Sequence, residues 1–255
     1  MKSLFFRPFF FAGNSWISLT GLLFILVSCS GGDDDDVSPS PVNNKNDNNK
    51  KLSQIVTKSV EDILSNTYKT VVIGDQEWMA ENLATTKYND GADIANITEN
   101  TSWITQTDGA YAWYNNDFDE FGSVYGALYN WHAVNTGKLC PAGWHVPTNE
   151  EWTELTDFLG GAEIAGDKLK ELGAAAWGNP FSGAKNETGF TALPGGFRLH
   201  TTGGFGGLGS TGYWWSSTAA NETSIHMRHM NYVNTNVYAD GANKAAGFCV
   251  RCVKD

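Results

Sequence analysis

Apolar positions change rhythm along the chain, and each rhythm predicts a different element. Residues 9–27 are almost continuously apolar, interrupted by Asn14 and Ser15, and they follow Lys2 and Arg7. Residues 30–50 carry hardly an apolar side chain. Leu52, Ile55, Val56, Val60, Ile63 and Leu64 then recur three and four apart, which predicts a short linker helix over 52–66. From residue 67 to 255 the apolar runs are short and broken by Gly, Asn and Asp. That texture predicts many short strands and long ordered loops. One segment keeps a helical period. Thr148 and Glu151 stand three apart as a capping box, with Pro147 before them. Trp152, Leu155, Phe158 and Leu159 are then the expected buried face of a helix over 148–159. Glu150, Glu151, Glu154 and Asp157 read as its solvated face, two of them favoured by the helix N-terminus, rather than as catalytic acids.

The first two stretches predict export and anchoring. A basic start followed by a long apolar run reads as a signal peptide over 1–28. Leu26-Val27-Ser28-Cys29 resembles the lipobox of bacterial lipoproteins, which implies acylation of Cys29. The apolar run is also about long enough to cross a bilayer, so a plain transmembrane anchor is the alternative. Residues 29–51 cannot bury enough surface to offset chain entropy and are expected to form a disordered tether. Residues 30–50 would reach about 70 Å when fully extended. Asp33, Asp34, Asp35 and Asp36 resemble the surface-export signal of Bacteroidota-type lipoproteins. The expected location is the outer membrane, facing the cell exterior, with its periplasmic face as the alternative.

Residues 67–255 suit one core. Loss of Lys2 and Arg7 with the leader takes the net charge from −11 to −13. Such acidity argues against nucleic acid and anionic headgroups as main partners, so the membrane is expected to be met through the lipid alone.

The domain carries an ordered series of motifs. It opens with Ile73-Gly74-Asp75-Gln76-Glu77-Trp78-Met79-Ala80-Glu81-Asn82-Leu83 and Tyr88-Asn89-Asp90-Gly91. Tyr125-Gly126-Ala127-Leu128-Tyr129-Asn130-Trp131 and Leu139-Cys140-Pro141-Ala142-Gly143-Trp144-His145-Val146-Pro147-Thr148 come next. Leu193-Pro194-Gly195-Gly196-Phe197-Arg198, Tyr213-Trp214-Trp215-Ser216-Ser217-Thr218 and Val250-Arg251-Cys252-Val253-Lys254-Asp255 complete it. This series resembles the Fibrobacter succinogenes major paralogous domain. The resemblance implies an α+β, C-type-lectin-like fold, distantly similar to formylglycine-generating enzymes, and brings no established activity with it.

Candidate chemistry is sparse. His226 and His229 lie in a strand-like run at odd spacing, on opposite faces, and His145 reads as a hydrogen-bonded packing residue. The run from Gly203 to Gly209 lacks the setting of a phosphate loop and is expected to be a loop. Asn115, Asn116, Asp117, Asp119 and Glu120 supply oxygens that calcium could use, without a complete loop pattern. No cofactor is therefore expected, with calcium as the alternative, and no metal-site residue is assigned. Cys249 and Cys252 alternate along a strand-like end, unlike a redox pair at a helix N-terminus. No catalytic residue is assigned.

Trp103, Trp113 and Trp177 lie in loop-like sequence and are the candidate stacking platforms for sugars, with a packed place in the core as the competing reading for each of them. Lipidation of Cys29 leaves three cysteines. Alternation places Phe248, Val250 and Cys252 on one apolar face, and Cys249 with Arg251 on a more polar one. With the family's terminal cysteine matched by Cys252, the expected bridge is Cys140–Cys252. The expected function is non-enzymatic recognition or adhesion at the cell surface, with a glycan or a protein as ligand. The alternatives are a structural part of a surface or fimbrial assembly, and an enzyme related in fold to the formylglycine-generating enzymes.

Overall fold

The computed structural model describes residues 57–172, 177–178 and 183–255. The leader, Cys29, the four aspartates and the tether lie outside the described residues. So does the first part of the expected linker helix.

Residues 57–66 are not helical. Thr57–Glu61 is a strand, β1, paired antiparallel with β2, Thr67–Ile73. The cause is Asp62, whose carboxylate accepts hydrogen bonds from Leu64 N (2.9 Å), Asn66 N (3.0 Å) and the Tyr68 hydroxyl (2.8 Å). An aspartate bonding the backbone two and four residues on competes with helix and turns the chain back. Ile63 and Leu64, expected on an apolar stripe, sit exposed at that turn.

The fold is α+β, mostly sheet with short helices. One sheet runs β1-β2-β3-β13-β7, adding Gln76–Met79, Val253–Lys254 and Trp144–His145, with every pairing antiparallel. A second comprises β8 Gly195–Arg198, β9 Phe205–Leu208, β10 Thr211–Ala219, β11 Ser224–Asn231 and β12 Tyr238–Asn243. Its strand order is β12-β11-β10-β8-β9. The third is small: β4 Ala95–Asn96, β5 Ala110–Ala112 and β6 Leu128–Tyr129. The glycine-rich stretch is thus strand β9 for four residues, paired with β8 rather than looped.

The end of the domain joins all three sheets. Gly247 bridges Arg198 of β8, Phe248 bridges Tyr129 of β6, and Cys249 bridges Trp214 of β10. Val250 and Cys252 then accept from Leu83 and Met79, and Val253 pairs with Trp78 and His145. Side chains alternate between two hydrophobic clusters: Phe248, Val250 and Cys252 enter one, Cys249 and Val253 the other. The Cys249–Arg251 side is therefore as buried as its opposite, because a hydrophobic cluster lies on each face of this seam.

The long helix spans Asn149–Phe158, with Thr148 as N-cap and both bonds of the capping box formed. Trp152, Leu155 and Leu159 are buried as expected. Phe158 is not; it lies roughly 100° around the helix from that face and is 42% exposed. Thr156 takes the buried place instead.

Candidate functional site

All nine described tryptophans are buried, including the three candidate platforms. Trp103 donates to Ala245 O (2.8 Å) beneath the Arg198 guanidinium, and Trp177 donates to Ala192 O (3.1 Å). Trp113 is wedged between Tyr111 and Phe118. Their large apolar area and single N–H are better used in this core than in water, so none of them is a sugar platform.

Cys140 and Cys252 form the disulfide, with S–S 2.05 Å and Cα–Cα 6.0 Å. Cys249 is a buried free thiol. Burial pushes it up to about 12, with Arg251 partly opposing. His145 is held by Asp255 (2.6 Å) and Glu151 (2.8 Å). Burial pulls its imidazole down, but the two carboxylates outweigh that and hold it above the ordinary histidine value. Since Glu151 also caps the helix, this chain of contacts ties β7 to the helix start. Asp117 accepts from Glu120 N (3.0 Å), and Asn116 donates to Thr98 O (3.2 Å). Among the described residues no three His, Cys, Asp or Glu side chains are grouped to hold a metal.

Among the described residues, two clefts open to solvent bear on function. The larger, 660 Å³, lies between the β2–β3 turn and the outer face of the long helix, where Glu150, Glu154 and Asp157 form the solvated face already expected. The second is a groove of 460 Å³ with more specific construction. One wall comes from β2 and the segment just beyond β3, with Tyr68, Ala80, Glu81 and Asn82; another from residues 118–126; a third from Glu171, Thr191 and Leu193.

Its floor is Asn82. The Asn82 amide donates to Tyr125 O (2.8 Å), and its oxygen accepts from Trp214 Nε1 (2.9 Å) and Arg251 Nε (2.8 Å). Gly126 presses on it with φ 75° and ψ −167°, a conformation essentially confined to glycine. A Cβ there would stand 2.8 Å from both Asn82 Cβ and Leu83 O.

Two local anomalies shape the walls. Phe118–Gly122 is a π-helical turn, a rare form that recurs at functional sites. It holds the Phe118 ring edge-on to Trp113 (4.9 Å) while leaving Phe118 49% exposed beside Val124 at 54%. Thr191 is a β-branched residue with φ 55°, which costs on the order of 1–2 kcal/mol. Asn186 and Arg251 hold it there: Asn186 Oδ1 accepts from Thr191 N (2.9 Å), and Thr191 O accepts from Arg251 Nη2 (2.8 Å).

Residues 71–254 match the sequence profile of the Fibrobacter succinogenes major domain. The chain belongs to this family. No curated protein and no solved structure gives a significant match. Apart from Asn66, Thr67 and Tyr68, the whole groove lies inside the span shared with the Fibrobacter succinogenes major domain. Its floor residue Asn82 and its glycine Gly126 belong to the motifs that carried the resemblance. Sequence reasoning missed the groove itself. The only prior trace was that Asn82, Gly126 and Arg251 fall in three separate motifs.

Proposed function

We propose that this protein is a non-enzymatic recognition module with a C-type-lectin-like arrangement, and that the groove over Asn82 is its ligand seat. It is held at the outer face of the outer membrane by lipid on Cys29, with the acidic run at Asp33 to Asp36 directing it there. The ligand is a glycan or a protein met at the cell surface. The observation that carries this reading is the pairing of half-exposed Phe118 and Val124 with a rigid polar floor. Exposed apolar groups beside fixed polar ones are the usual texture of a binding surface. Two contacts favour binding over chemistry: the His145 ring nitrogens are both taken by carboxylates, and the Cys249 thiol is sealed and high in pKa.

The test has two parts. Cys29→Ser moves the protein out of the membrane fraction, and alanine at Asp33 to Asp36 protects it from protease shaving of intact cells. Glycan and peptide arrays are then probed with the full chain in detergent, wild type against Phe118→Ala. A ligand retained equally by Phe118→Ala removes the groove from the proposal. An unchanged membrane fraction for Cys29→Ser removes the anchor.

A second reading, assembly by strand addition, has one observation behind it. β12 is an edge strand with no further strand beside it among the described residues. Such an edge can accept a strand from another chain.

A further inference from the structure

The groove's side chains divide unevenly between hydrogen-bond donors and acceptors. Every lining side chain that can donate, except Thr67, already donates one hydrogen bond inside the protein. The Asn66 amide and the Tyr68 hydroxyl both donate to Asp62 Oδ2 (2.8 Å each). The Asn82 amide donates to Tyr125 O (2.8 Å), the Ser123 hydroxyl to Asp119 O (3.4 Å) and the Thr191 hydroxyl to Gly189 O (3.1 Å). The Thr67 hydroxyl, at the exposed rim, and the second N–H of the Asn66 and Asn82 amides are left among the described residues.

Acceptors remain. Glu81 and Glu171 both line the groove, and neither joins an ion pair among the described residues. Glu81 uses one oxygen on Lys69 N (2.8 Å), and the Glu171 carboxylate makes no hydrogen bond among the described residues. The cation beneath the floor, Arg251, is fully buried and bonded to Asn82 and to the carbonyls of Met79, Phe190 and Thr191.

A sugar hydroxyl both donates and accepts, so a glycan site normally offers both kinds of partner. An anionic ligand needs donors. This groove offers carboxylates and apolar surface, which fits a group that only donates: an ammonium or guanidinium on an apolar stem. We infer that the groove binds a basic side chain, lysine or arginine, from an extended segment of a partner polypeptide, with Glu171 and Glu81 facing the charge and Phe118 and Val124 packing its stem and an apolar neighbour. This rests on the groove being the ligand seat proposed above, and it chooses protein over glycan. A 460 Å³ groove accommodates one or two side chains rather than a folded surface. The partner's affinity must then come from a short motif.

The test uses an array of dodecapeptides with a fixed central Leu-Arg, its twin with citrulline for arginine, and a neutral glycan array. All are probed with the full chain in detergent. Citrulline keeps the shape of arginine and removes the charge. Arginine peptides are expected to bind and to weaken at least tenfold on the change to citrulline. They should weaken again as salt rises from 50 to 500 mM, because exposed charge pairs are screened. Glu171→Gln, which disturbs no hydrogen bond within the protein, is expected to lower binding of the best peptide about tenfold with Tm unchanged. Equal binding of the citrulline twin, or an undiminished Glu171→Gln, overturns the inference. Glycan binding lost in Phe118→Ala but kept in Glu171→Gln overturns it while sparing the groove as ligand seat. If neither array binds, both readings fall.

Discussion

Replacing Arg251 by methionine is expected to destabilise the protein by about 2–5 kcal/mol. The guanidinium is fully buried and lies 4.4 Å from the centre of the Phe190 ring. It donates to Asn82 Oδ1 (2.8 Å), Met79 O (3.3 Å), Phe190 O and Thr191 O (2.8 Å). Burial pulls its pKa down to about 9, which still leaves it charged at neutral pH. Removing a buried ion is sometimes harmless, because both partners of an ion pair can be replaced by apolar groups. Here the partners are backbone carbonyls, which remain whatever the side chain. Asn82 Oδ1 would keep its bond from Trp214. The carbonyls of Phe190 and Thr191 have no other partner among the described residues. Two orphaned carbonyls cost about 1–3 kcal/mol each, and relief from burying the charge returns part of that. Thr191 also loses one of the bonds holding it at positive φ, so ligand affinity at the groove should fall with stability. Arg251→Lys keeps the charge but not the planar fork, and should lie between. Urea unfolding of the full chain, with the disulfide intact, measures the change as a shift in midpoint at constant slope. A loss below about 1 kcal/mol for methionine, beyond the uncertainty of the fit, would refute the argument that this cation serves the carbonyls.

Four further outcomes are expected. Serine at both Cys140 and Cys252, which are 112 residues apart, should cost up to nearly 5 kcal/mol by the chain-entropy treatment. Non-reducing peptide mapping of the native protein should show only that bridge, with Cys249 reacting with thiol reagents in urea and not before. Gly126→Ala should cost about 2–5 kcal/mol from a glycine-only conformation and a crowded Cβ together, read by the same urea titration; a near-neutral result would mean that the floor gives way easily. The His145 imidazole is raised in the folded state, so its stabilisation is fully present below its unfolded value and is lost as pH rises through the folded one. His145→Gln should therefore lower Tm more at pH 5.5 than at pH 8.5, and a loss that is equal or larger at pH 8.5 would contradict the sign.

Features fixed by near neighbours were legible in the sequence. Thr148 and Glu151 need only each other to cap a helix, and they do. The disulfide followed from alternation and the family ending, and Cys252 does share its cluster with Phe248 and Val250. Over the described residues 57–66 the expected linker helix gives way to a strand and turn because one side chain, Asp62, bonds forward to Leu64, Asn66 and Tyr68 and reverses the chain. Nothing in a three-and-four spacing of apolar residues reports that competition. The tryptophan platforms failed for a related reason: loop-like sequence says where a residue sits along the chain, not whether another loop covers it. The groove was illegible because its character lies in which donors are spent, and each is spent on a partner chosen by the fold.

The buried cations show how so loop-rich a domain holds together. Long loops carry many backbone carbonyls that no sheet or helix satisfies, and burying them requires donors. Four buried cations supply these. Arg198 donates to the carbonyls of Ile97, Thr98 and Gly203, Arg228 to those of Met227 and Asn149, Lys170 to that of Asn234, and Arg251 to three more. None of the four has a carboxylate in ion-pair reach among the described residues. An acidic chain with cations to spare for carbonyls must leave carboxylates unpaired elsewhere. Some of these line the solvated face of the long helix, where water serves them. Glu171, and Glu81 whose charge acts on Arg251 beneath the floor, instead line a groove beside exposed apolar side chains, where a basic ligand would meet both carboxylates.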